Sequence, residues 1–156
     1  MTLAPRSRKL FTLSAVHQAN QALLAGLEIA DPVQVAGDFW NSVIKSFPLW
    51  RQATSAEVRN DFINAHGTVL HALGRAGNAF LRANTSPRWD DFSGALQRID
   101  WSRRNTRLWE GRALQAGHVS KSTQSVALTS AVIKRELGLD ISADEARYEL
   151  ALEGSK

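Results

Sequence analysis

Helix start and stop signals recur along almost the whole chain, while no run longer than a few residues alternates in the two-residue period of a strand. That combination restricts the chain to an all-α fold. The clearest case is residues 31–48, DPVQVAGDFWNSVIKSFP. Asp31 offers a side-chain oxygen to the amides of a first turn, and Pro32 sits where a missing N–H costs nothing. Pro48 closes the pattern. Between them Ala36, Phe39, Trp40, Val43, Ile44 and Phe47 recur at three- and four-residue spacing, so they should form one buried stripe.

The same logic extends in both directions. In TLSAVHQANQALLAG, Thr12 is an N-cap candidate, Val16, Leu23 and Leu24 give an apolar face, and Gly26 is a stop. TSAE at 54–57 is a capping-box signature that opens a long segment to about Arg82. Its apolar set is Val58, Phe62, Val69, Leu70, Leu73 and Phe80. Gly67, Gly74 and Gly77 interrupt it, each costing about 1 kcal/mol against alanine in a helix. They predict either a break near Gly67 or close helix packing. Pro87 leads into a short helix with Phe92, Leu96 and Ile99. KSTQSVALTSAVIKRELG reads as a helix with Val126, Ile133 and Leu137 inward and Gly138 as terminator. SADE at 142–145 is a second capping box, opening a short acidic helix to about Leu152. The expectation is one compact, bundle-like domain over residues 1–156. It has six or seven helices, a long Arg/Trp-rich connection, and flexible ends at 1–9 and 153–156.

An apolar share of 44% with five Trp and six Phe suffices for a core. No stretch reaches bilayer-spanning length, and the basic start lacks a signal-peptide apolar region, so a cytoplasmic location is expected. With no cysteine there is no disulfide, thiol nucleophile or thiolate metal site. Charge is unevenly spread. Residues 139–156 carry Asp140, Asp144, Glu145, Glu149 and Glu153 against Arg147 and Lys156, net −3, which leaves +7 on the rest of a +4 chain. Arginine outnumbers lysine 14 to 5, a bias that suits planar anions such as phosphate and that a GC-rich genome also produces.

Catalytic patterns are poor. His66 and His71 are five apart, about 140° around a helix, so they do not share a face as metal ligands would. His17 stands alone. GRAGNAF has neither the spacing nor the preceding strand of a phosphate loop, and there is no Gly-x-Ser-x-Gly. Asp100 with Glu110-Gly-Arg112 loosely suggests a metal nuclease, but such carboxylates converge from strands. Pairing with neighbouring arginines is the better role for Asp100 and Glu110. No enzyme activity, cofactor or metal is expected.

The distinctive stretch is residues 99–114, IDWSRRNTRLWEGRAL, with two tryptophans, four arginines and two carboxylates. Arg98, Arg103, Arg104, Arg107, Arg112 and Lys121 fall within residues 98–121. Small polar residues follow at the start of the next helix, where free amides and the dipole favour phosphate. The candidate nucleic-acid contacts are Arg103, Arg104, Arg107, Arg112, His118, Ser120, Lys121 and Ser122. Trp101 and Trp109 should anchor the segment to the core, with Asp100 and Glu110 fixing its shape. A helix-turn-helix around Gly117 fits badly. His118 stands where an apolar residue is wanted, and Arg112 takes an inward-facing position.

Residues 98–139, RIDWSRRNTRLWEGRALQAGHVSKSTQSVALTSAVIKRELGL, resemble the C-terminal part of the DndB family of DNA phosphorothioation systems. RKLFTLSAVHQANQALL and NAHGTVLHALG are also similar to it, and the likeness runs from about Arg8 to Tyr148. The DWSR…N…WEGR run is its most specific part. The Asp-Gly-Gln-His-Arg string that names the family's N-terminal domain does not occur in this sequence. The chain therefore resembles a C-terminal portion, whether fragment, truncated product or stand-alone relative. The resemblance implies an accessory, regulatory role in DNA sulfur modification through promoter binding, with DNA and other proteins of that system as partners and no membrane association. Two alternatives remain: an interaction module that binds protein and not DNA, and the metal nuclease.

Overall fold

The computed structural model describes residues 8–155. Among them the capping and spacing signals yield nine α-helices: α1 (Leu13–Leu24), α2 (Pro32–Ser46), α3 (Leu49–Gln52), α4 (Ser55–Asp61), α5 (Gly67–Ala83), α6 (Trp89–Arg98), α7 (Thr106–Trp109), α8 (Thr123–Glu136) and α9 (Ala143–Gly154). A 3-10 turn (Ile63–Ala65) lies between α4 and α5, and a two-stranded hairpin, β1 (Leu114–Gln115) and β2 (His118–Val119), precedes α8. The caps are those expected from sequence. Thr12 Oγ1 accepts from the Ala15 amide at 3.1 Å and Asp31 Oδ1 from the Gln34 amide at 3.0 Å. Both reciprocal boxes form, at Thr54/Glu57 and Ser142/Glu145.

Helix α5 is the axis of the molecule. It packs against α1 and α8, while α2 pairs with α6. The glycines of α5 explain the closeness. A Cβ on Gly74 would collide with the Ala19 carbonyl oxygen of α1, and one on Gly77 would meet the Phe39 ring and Leu23. The break expected near Gly67 is present: α4 stops at Asp61 and α5 starts at Gly67.

Phe39, Phe80, Trp89 and Phe92 form one aromatic cluster between α2, α5 and α6. A second binds the Arg/Trp segment to the core. Trp101 and Trp109 stack at 5.3 Å, and Trp101 meets Phe47 edge-on at 5.4 Å. Their indole N–H groups donate to the Leu96 and Asp100 carbonyls, so both rings are buried without an unmet donor.

The segment is less irregular than its sequence suggests. It contains the single turn of α7 and then the hairpin, and α3 is a second short helix beyond the six or seven expected. The hairpin turns on Ala116 and Gly117, both at positive φ (49° and 77°), the geometry of a two-residue type I′ turn. Alanine is a poor signal for that turn, and two-residue strands carry no periodicity. Of the ends expected to be flexible, 1–7 and 156 lie outside the described residues. Arg8 and Lys9 are tied to α4, since their carbonyls accept from Ser55 Oγ and Arg59 Nη1. Helix α9 runs through Glu153 to Gly154.

Candidate nucleic-acid interface

The Arg/Trp segment is stitched by backbone bonds to the α4–α5 junction. The Ile63 amide donates to the Trp101 carbonyl at 3.0 Å, and the Arg103 amide to the Asp61 carbonyl at 2.9 Å. Thr68 Oγ1, on the first turn of α5, donates to the Ser120 carbonyl at 2.8 Å. These bonds lay the hairpin beside the N-terminus of α5. They leave an open groove of about 730 Å³ between α1, α4, α5 and β2.

The groove walls are one-sided in charge. Arg59, His66, His71, Arg103, His118 and Lys121 line it, with hydroxyls from Thr12, Ser14 and Thr68. Among the described residues that line it, none is Asp or Glu. A smaller groove of about 400 Å³ near α6 and α8 mixes Arg98, Arg112 and Arg135 with Asp100 and Glu136. A concave surface without carboxylates concentrates positive potential and attracts polyanions.

The groove's charge is felt by its own histidines. His66 is held below its ordinary value near 6.5, first by burial and then by Arg103, Arg59 and Lys121, against a hydrogen bond with the Arg59 carbonyl that favours the proton. His71 is lowered by burial and by Arg75. Both imidazoles therefore favour the neutral form near neutral pH while the groove is empty.

The predicted contact residues divide into three groups. Arg103, His118 and Lys121 meet at the groove. Arg103 also braces the hairpin, its Nη2 donating to the Gly117 carbonyl at 2.8 Å. Arg104 and Arg107 are exposed on the segment, outside the groove lining. Arg112 is turned away from the groove. Its guanidinium turns inward and grips Glu149 with two bonds, Nε to Oε1 at 3.0 Å and Nη2 to Oε2 at 2.8 Å, while Nη1 donates to the Leu108 carbonyl. That side chain is only 12% exposed and presents no fork to solvent. The two serines are also engaged. Ser122 caps α8 by accepting from the Ser125 amide at 3.1 Å, and Ser120 Oγ donates to Ser122 Oγ.

Asp100 and Glu110 hold the segment's shape, but through backbone amides and not the expected arginines. Asp100 Oδ1 accepts from the Ser102 amide at 3.0 Å. The Glu110 carboxylate accepts from the amides of both turn residues, Ala116 and Gly117, offsetting the strain of alanine at positive φ.

Sequence reasoning missed Arg59, His66 and His71. The 140° separation of the two histidines holds only if both are helical. His66 is instead the extended N-cap residue of α5, with φ −119° and ψ 147°, so the two rings reach one groove. The chain break at Gly67 was the available signal. Among the described residues no three His, Asp or Glu side chains are grouped to hold a metal ion, and no helix is long and apolar enough to cross a membrane.

The family model described as "DndB: DNA-sulfur modification-associated" matches residues 1–140. No curated protein and no solved structure matches the chain. The match takes in every element that builds the groove, and on it the chain belongs to the DndB family, whose members are associated with DNA sulfur modification.

Proposed function

We propose that this protein is a non-catalytic, DNA-binding accessory component of a DNA sulfur-modification system, acting on expression of the modification genes. The observation that carries the reading is the groove lined, among the described residues, by six basic or imidazole side chains and no carboxylate. Family membership supplies the context of DNA and sulfur. The absence of cysteine argues against this chain as the sulfur carrier.

In this reading a strand of phosphates lies along the groove. Lys121 and His118 engage it from the rim, and Arg59 and Arg103 from the wall. Thr12, Ser14 and Thr68 offer neutral donors between them. Contacts of this kind position a duplex without reading its sequence. The exposed Arg104 and Arg107 add long-range attraction. Among the described residues the most exposed large apolar side chains, Leu13, Val33 and Leu150, belong to three different helices, which gives a protein partner no single apolar stripe to grip.

The test is duplex-DNA affinity measured by fluorescence anisotropy from 50 to 300 mM salt, on the wild type and on Arg103→Gln/Lys121→Gln. Affinity should fall steeply with salt, and the double variant should flatten the logarithmic slope by about 0.9 per lost phosphate contact. Equal slopes from two equally folded proteins would remove the groove from the account.

A further inference from the structure

Helix α9 docks in an unusual way. Its buried residues are two glutamates, Glu145 and Glu149, on one face a turn apart. Most surface helices bury an apolar stripe instead. Glu145 is met by Lys134 at 2.9 Å and Arg75 at 3.3 Å, and Glu149 by Arg112 at 2.8 Å and Arg135 at 3.2 Å. Four cations from α5, the Arg/Trp segment and α8 thus converge on two carboxylates. The family match ends at residue 140, before α9 begins. All four cations fall inside the matched residues and both glutamates fall outside them.

One end of the row lies near the groove, while Arg112 and Arg135 line the smaller groove near α6 and α8. Arg75 stands one turn after His71 on α5, and His71 lines the groove. The fork of Arg112 on Glu149 is the geometry it would use on a phosphate. We infer that Arg75, Arg112, Lys134 and Arg135 form a second phosphate-binding row, and that α9 occupies it in cis as a charge mimic that DNA displaces. Displacement exchanges one set of anions for another, so no buried cation is left bare. This inference rests on the proposed DNA binding and adds its regulation.

Hydrogen exchange on the full chain tests it, with and without saturating duplex DNA at 50 mM salt. Protection of the α9 amides should fall when DNA is added, while that of α5 holds or rises. Where the wild type binds the duplex, unchanged or increased α9 protection overturns the inference. A second measurement uses Glu149→Gln, which weakens the clamp, beside Glu153→Gln, which removes the same charge from an exposed position of the helix. Glu149→Gln should raise DNA affinity several-fold and steepen the salt slope by about 0.9 for each newly engaged phosphate. Glu153→Gln should leave the slope unchanged, and equal effects from the two variants would contradict masking. A full chain that binds DNA through a salt-dependent groove with α9 undisturbed leaves the proposed function standing and removes only this inference. If the wild type is inert while Glu149→Gln binds, masking stands and the groove reading falls.

Discussion

Replacing Arg112 by alanine should behave as a core defect, although the residue belongs to a strongly basic stretch. The side chains of Arg112 and Glu149 are 12% and 3% exposed, and the guanidinium also satisfies the Leu108 carbonyl. Removing one partner of a buried pair costs about 3–5 kcal/mol, because the other charge stays desolvated. Arg135 remains 3.2 Å from Glu149 and is half-exposed, which places the loss at the lower end, about 3 kcal/mol. For a chain of this size that is a fall in Tm of about 6–12 °C. Urea unfolding followed by circular dichroism measures it. The double variant Arg112→Met/Glu149→Leu should recover most of the loss, since apolar replacements of buried pairs are often neutral. Lys121→Ala should leave the unfolding midpoint unchanged and weaken DNA binding. If Arg112→Ala loses under about 1 kcal/mol and weakens DNA binding as Lys121→Ala does, the inward assignment is refuted.

Further outcomes follow from the same contacts. Gly74→Ala should destabilise the protein by about 1–3 kcal/mol, read by urea unfolding, because the new methyl meets a backbone oxygen that cannot rotate away. DNA affinity should rise as pH falls from 8 to 6: His66 and His71 are held neutral in the empty groove, phosphate favours their protonated forms, and binding then takes up protons. Calorimetry in two buffers of different ionisation heat measures that uptake, and His66→Gln/His71→Gln should abolish it. Burial raises the Glu145 and Glu149 carboxyls, but the Ser142 amide and Lys134 for the first, and Arg112 and Arg135 for the second, more than offset it and hold both below the ordinary 4.5. Their contribution is therefore complete above about pH 4.5 and is lost as pH falls through the lower folded values, so α9 protection in hydrogen exchange should collapse in acid before that of α5.

Much of the fold was legible because helices announce themselves locally. Thr12, Asp31, Thr54 and Ser142, each read as a cap, all cap helices through their own side chains. The apolar sets around Phe39, Leu73 and Phe92 did become the core. What stayed hidden depends on distant partners. Nothing near Arg112 in sequence indicates Glu149, 37 residues away, and the nearer Glu110 was the natural but wrong choice. The hairpin was hidden because Ala116 is an unusual residue for its turn and Glu110 supplies the missing stabilisation from outside it. His66 was misplaced by assuming helical geometry one residue too early. The groove itself is a tertiary product: α1, α4, α5 and β2 each give it a few residues, and no single segment carries its pattern.

The most direct measurement is the slope of duplex-DNA affinity against salt for the wild type at pH 7. A groove that holds several phosphates predicts a logarithmic slope of about −0.9 for each, hence a multi-unit fall in the logarithm of affinity per decade of salt, reduced in Arg103→Gln/Lys121→Gln. An affinity indifferent to salt, or no binding at 50 mM salt by a folded chain, would contradict the account.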